Sequence, residues 1–186
     1  MFKLTQQLAK LANVNPRIEK HGDKNVGACD LKIEINLANT ALDSFNPAIR
    51  PFLYRPANES GDQPQLELAD GGEQLTGVRM PHLSPLVLDE KWPGYTVRVS
   101  ASLGKAKPIV LEGAELSRFR FEAIEGGSVK ITFAVAAHPT GPEIGKLSDL
   151  SVDGEIEITV EPPKAEAQQA LDAVGNDERE EEEAAT

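Results

Sequence analysis

The sequence is poor in the residues that carry most enzyme chemistry. It has one cysteine, Cys29, so no internal disulfide can form. A lone thiol suits a reducing compartment. Histidines number three, tyrosines two and tryptophans one. No apolar run approaches the ~18 residues that a membrane span needs. The opening "MFKLTQQLAKLANV" lacks a continuous apolar stretch and a small-residue cleavage site, so it does not read as a signal peptide. A cytoplasmic location is the expectation. No Gly-x-Ser-x-Gly elbow and no phosphate-binding Gly-Lys-Ser/Thr loop is present. "GGEQLTG" and "EGGS" are glycine-bearing turns without the strand–helix context of a phosphate loop. The reading is of a protein that is not an enzyme and carries no cofactor.

What is present is acid and alternation. The formal net charge is −11 over 186 residues. Eight acids and two bases between Lys164 and Thr186 account for −6 of it, ending in the run Glu180–Glu183. Residues 1–163 are therefore only mildly acidic, which leaves room for one basic face. Pro162 and Pro163 close the last apolar alternation. Beyond them the chain has too few bulky apolar residues to offset ordering entropy. The sequence predicts a β domain at 1–163 and an acidic, largely disordered tail at 164–186.

Period-2 alternation dominates the domain. Cys29, Leu31, Ile33, Ile35 and Leu37 oppose Asp30, Lys32, Glu34 and Asn36. Tyr95, Val97 and Val99 oppose Thr96, Arg98 and Ser100, and Ile156, Ile158 and Val160 oppose Glu155, Glu157 and Thr159. Each pattern is a strand with one wet face, the antiparallel signature. In "LSRFRFEAIEGGSVKITFAVA" a two-residue turn would set Arg120 against Phe133. A three-residue turn, Glu125-Gly126-Gly127, instead pairs Phe119 with Phe133, Phe121 with Ile131, Ala123 with Val129 and Glu122 with Lys130. The three-residue turn is predicted.

Helix is scarce. Asn39 or Thr40 is the expected cap of a short helix bearing Leu42 and Phe45. Asn46 is the expected cap of a second that Pro47 starts and Pro51 interrupts or ends. A short strand is expected at Leu66–Leu68, beside the exposed loop "NESGDQPQ". The fold class is mainly β: an antiparallel β-sandwich or partly open barrel with a short helical insertion near 40–54.

The densest polar cluster is "HGDKNVGACDLKIEI", from His21 to Ile35. Metal ligands must converge, whereas Cys29 and Asp30 are neighbours in a strand and point to opposite faces. Cys29 falls on the apolar face, and Gly22-Asp23 is turn chemistry feeding a strand that begins near Gly27. The expectation is a structural hairpin without metal. His82 and His138 sit in proline-rich turns, where a surface role outweighs catalysis.

One surface points to binding. Arg118 and Arg120 alternate with Phe119 and Phe121, and Lys130 lies on the partner strand. Arg98 is expected from a neighbouring strand, and Lys105 and Lys107 flank the loop "LGKAKP". Strands that offer Arg and Lys to a phosphate backbone, with Trp92 or Tyr95 for base stacking, bind single-stranded nucleic acid. The plain alternative is a solvated face with Glu122 balancing the bases. The tail bears on this choice: an anionic segment beside a basic groove competes for it, or recruits basic partners.

Four stretches, "HGDKNVGACDLKIEINLANTALDSFNPAIRPFLYR", "GVRMPHLSPLVLDEKWPGYTVRV", "FRFEAIEGGSVKITFAV" and "GEIEITVEPP", resemble a family of small proteins of tailed phages and prophages. The similarity spans nearly all of the domain but not the tail. That family accompanies recombination and replication genes, and it brings no catalytic residues. The resemblance implies an accessory role in the bacterial host's cytoplasm, close to DNA metabolism. The domain is similar to single-stranded DNA-binding proteins in architecture only. Bacterial members carry an aromatic-capped acidic peptide where this chain has "EEEEAAT". The expected partners are single-stranded DNA, or phage or host recombination and replication proteins met through the tail. The alternatives are an acidic protein that inhibits a host protein without touching nucleic acid, and a structural virion component.

Overall fold

The computed structural model describes residues 1–22, 24–56, 75–101 and 107–163. Among the described residues there are eight strands: β1 (Leu4–His21), β2 (Lys24–Ala38), β3 (Tyr54–Pro56), β4 (Leu75–Val78), β5 (Leu86–Ala101), β6 (Ile109–Ile124), β7 (Ser128–Ala137) and β8 (Glu155–Glu161). Among the described residues, helix is confined to a 3-10 helix at Asn39–Ser44, α1 (Ile49–Leu53) and α2 (Gly141–Asp153). Six strands pair antiparallel in the order β1–β2–β7–β6–β5–β8, and β8 also pairs with β1. The short β8 meets β5 only from Thr96 to Ala101 and β1 only from Leu4 to Lys10. The ring is thus a partly open barrel in which β5 from Leu86 to Tyr95 pairs with β6 alone. β3 and β4 form a separate two-stranded sheet.

The alternating segments face as their pattern requires. Leu31, Ile33, Tyr95, Val97, Val99, Ile156, Ile158 and Val160 are all buried. The β6–β7 turn has three residues, since Ile124 pairs with Ser128, Ala123 with Val129, Glu122 with Lys130 and Phe121 with Ile131. Gly127 takes a φ of +81° and lies against Thr76 and Asn39, where a β-carbon would come within 3.2 Å of the Thr76 methyl. Phe119 stacks near Phe133 at 5.9 Å between ring centres, but the ladder skips a residue between Ser117 and Arg120.

β1 is the longest strand and shows no plain alternation. The reason is two register shifts. Phe2 and Leu4 are buried on even positions, Ala9 and Leu11 on odd ones, and Val14 packs against the core on an even one again. The first shift lies between Leu4 and Gln7, where Gln6 has a φ of +47°, and the second between Leu11 and Asn13. β6 repeats the device. Ile109 and Leu111 point inward, then Ala114 and Leu116, then Phe119 and Phe121. Left-handed residues mark both resets: Gly113 at φ +65° and Arg118 at φ +56°. An extra residue in one strand reverses which faces are wet and sharpens the bend that a barrel requires.

Three local expectations are corrected. The hairpin strand β2 begins at Lys24, not near Gly27, because β1 continues to His21 and offers it a partner. Ala38 holds the cap position of the 3-10 helix, and Asn39 is instead buried, donating from Nδ2 to the Leu75 carbonyl at 2.6 Å. Ala48 precedes α1, with Pro51 inside its first turn where no backbone donor is required. Asn46 still supports that start, its Oδ1 accepting from the Ala48 N–H at 2.9 Å. α2 is unforeseen, although Thr140 and Glu143 form a capping box with Pro142 beside them. It buries Leu147 and returns the chain to β8. The expected strand at Leu66–Leu68, the "NESGDQPQ" loop and the tail lie outside the described residues.

Gly113 and Gly27 separate conformation from space, since neither has an atom within 4 Å of a built β-carbon. Only Gly113 is left-handed. Gly113→Ala should lower unfolding free energy by about 1–2 kcal/mol, whereas Gly27→Ala should be neutral or stabilise by up to ~1 kcal/mol. Urea unfolding of the two variants measures the difference.

Candidate basic groove

The bulge at Arg118 sets the site. It returns Phe119 and Phe121 to the core and leaves Arg118 and Arg120 on the outer face, both exposed. β7 lies beside them with Lys130, Thr132 and Ala134 outward. β2 follows with Asp30, Lys32 and Glu34. These side chains, with Asn13 and Asn15 of β1 and Val87 and Asp89 of β5, line a groove of about 540 Å³ across five strands.

Its charges divide into used and unused. Glu34 lies 3.1 Å from Lys32 Nζ and 3.4 Å from Lys130 Nζ. The hydrogen bond from Lys32 is the largest influence on its carboxyl. With the contribution of Lys130 it outweighs partial burial and holds the group below the usual glutamate range. Asp30 accepts from Arg17 Nε at 3.1 Å, and Arg17 also pairs with Glu19. Arg118 and Arg120 have no ion-pair partner among the described residues. Four bases of the lining (Lys32, Arg118, Arg120 and Lys130) face four acids (Asp30, Glu34, Asp89 and Glu122). The groove is balanced in formal charge, with two guanidinium groups left over for a ligand and two carboxylates, Asp89 and Glu122, beside them.

The six bases expected to share a surface do not all meet. Arg118, Arg120 and Lys130 do. Arg98 pairs with Glu161 at 2.6 Å and faces Val110 in the β6 ladder, ten residues from Arg120 along that strand. Lys107 is exposed just before β6 begins, and Lys105 lies outside the described residues. Lys32 joins the groove unforeseen. Its outward position was legible from alternation, but the adjacency of β2 and β7 was not.

The stacking aromatics are also corrected. Tyr95 is buried in the core. Trp92 is half-buried, stacked on Phe45 at 5.2 Å and tilted on Phe119 at 4.7 Å, with its Nε1 donating to Glu90 at 3.0 Å. Tyr95 is held in the core and Trp92 packs on Phe45 and Phe119, and neither ring lines the groove.

The stretch around Cys29 is built as a hairpin. His21 pairs with Lys24 across the turn, while Asp23 lies outside the described residues. Cys29 is buried, and burial pushes its thiol above the usual range. Asp30 faces the groove side. Among the described residues no three His, Cys, Asp or Glu side chains cluster as a metal site would need. His138 Nε2 lies 2.9 Å from Glu19 Oε2 at the start of α2, and His82 is exposed.

No family model, curated protein or solved structure matches the chain. Among the described residues no helix is long and apolar enough to cross a membrane.

The Glu34 pairs give a pH dependence of known sign. A carboxyl depressed in the folded state contributes stability in full above its unfolded pKa and loses it as pH falls through the folded value. Acid should therefore destabilise the protein partly through Glu34. Glu34→Gln should flatten the decline in urea midpoint below the ordinary glutamate range and lower the midpoint at neutral pH.

Proposed function

We propose that the protein is a non-enzymatic phage accessory protein that binds single-stranded DNA, or assists recombination or replication proteins, along the groove of β2, β7 and β6. The observation that carries this reading is the pair of guanidinium groups, Arg118 and Arg120, exposed on alternate positions of one strand without ion-pair partners among the described residues. Planar guanidinium forks suit phosphate oxygens, and their spacing follows an extended backbone. Lys130 adds a third base on the neighbouring strand. With Trp92 and Tyr95 packed away from the groove, binding rests on phosphate contact and is weak in sequence preference.

A second reading has its own support. Asp89 and Glu122 stand in the same groove as the two arginines. A surface with both signs also fits a protein partner of complementary pattern, as an inhibitor of a host protein would require.

Fluorescence anisotropy with a labelled oligonucleotide at two salt concentrations tests the first reading. Binding should weaken as salt rises. Arg118→Ala combined with Arg120→Ala should reduce affinity and make the log–log salt slope shallower by about 1.4, two phosphate contacts at ~0.7 each. Absence of binding at low salt sinks the DNA reading, and an unchanged slope in the double variant removes the groove from it.

A further inference from the structure

The groove lies close to the C-terminal limit of the described residues. Pro163, the last described residue, packs on Gly94 of β5, with its Cγ 3.1 Å from a β-carbon built there. Three residues back along β5, Lys91 pairs with Ser117, the residue before Arg118. Lys91, Arg118 and Asp89 share a depression at the edge of the groove. At about 3.3 Å per strand residue and ~4.8 Å between strands, Arg118 lies on the order of 10–15 Å from Pro163.

We propose that Arg118 and Arg120 form a docking site for this chain's own acidic segment, Glu180–Glu183. Reach and charge both favour this occupant. The run stands 17 to 20 positions after Pro163. A flexible chain of that length would span about 23 Å, more than the roughly 10–15 Å to be covered, so the run can reach the site and its local concentration there is high. The run offers consecutive carboxylates to two guanidinium forks that lack ion-pair partners, and residues 164–186 carry −6 in all. The other bases of the groove are already engaged, Lys32 and Lys130 with Glu34. Asp89 and Glu122 oppose the segment and limit the site to a weak, salt-sensitive contact. The groove is an acidic-peptide site in the free protein. If the nucleic-acid reading holds, the same segment is a competitor that single-stranded DNA must displace.

The test uses the full chain without nucleic acid. Ala185→Cys carries a nitroxide label, to which the buried Cys29 is closed. At low salt the amides of 117–121 and 130–132 should lose at least half their intensity relative to the reduced label. That loss should disappear at high salt, in the Arg118→Ala/Arg120→Ala variant, and when Glu180–Glu183 are all changed to Gln. Broadening centred elsewhere, near Lys146 of α2 for example, or broadening in the groove that survives both variants, overturns the proposal. No oligonucleotide enters this experiment, so failure of DNA binding leaves its result intact. A second arm adds oligonucleotide to the four-Gln variant. Tighter binding than the unmodified chain, by several-fold at low salt, is expected if both readings hold.

Discussion

Bending a long strand around one apolar core requires extra residues, and each extra residue exchanges the wet face for the dry one. β1 and β6 each accept this twice. At Gly113 the left-handed conformation is nearly free, whereas at Arg118 it strains a residue with a full side chain. The cost at Arg118 is of order 1 kcal/mol. The buried Phe119 and Phe121 on one side and Leu116 on the other over-determine the position. The bend in the wall and the outward aim of the two arginines are one feature.

The helical insertion holds the same hairpin from its turn end. Tyr54 is buried and its hydroxyl donates to the Ser128 carbonyl. The Asn39 N–H donates to the Gly127 carbonyl at 2.9 Å, the Gly126 N–H to Thr76 at 3.0 Å, and the Glu125 carboxylate accepts from the Val78 N–H. Phe45 reaches from the end of the 3-10 helix to Phe2, Trp92, Phe119 and Phe121. The β3–β4 sheet and the insertion therefore lock the turn that positions β6 against β7, and through it the groove. Scarce aromatics are concentrated here, where large rings fill the mouth left by a short β8.

Sequence patterning exposed part of this. The strands with unbroken alternation, β2, β8 and the second half of β5, were legible residue by residue, as was the three-residue β6–β7 turn. β1 was not, because its parity changes twice. α2 was legible only in its capping box, Thr140 with Glu143; its polar composition hid it. Arg118, Arg120 and Lys130 came together because they share a hairpin, where local register decides neighbours. Arg98 failed to join them because β5 places it beside Val110, at the far end of β6. Trp92 and Tyr95 looked available for stacking because exposure of an aromatic depends on what packs over it.

The sequence by itself determined the periodicity of its strands, the chemistry of its turns, the concentration of acid in residues 164–186 and the unpromising geometry of the Cys29 cluster. These are local properties, set by side chains within a few positions of one another. Only the tertiary structure decided that β2 flanks β7 and brings Lys32 to the groove. It alone engaged Lys130 with Glu34 while leaving Arg118 and Arg120 without ion-pair partners among the described residues, and it set Pro163 beside Gly94. Each of those outcomes depends on which strands become neighbours. That choice is made by burying all the apolar faces at once, a sum over the whole chain that no single stretch contains.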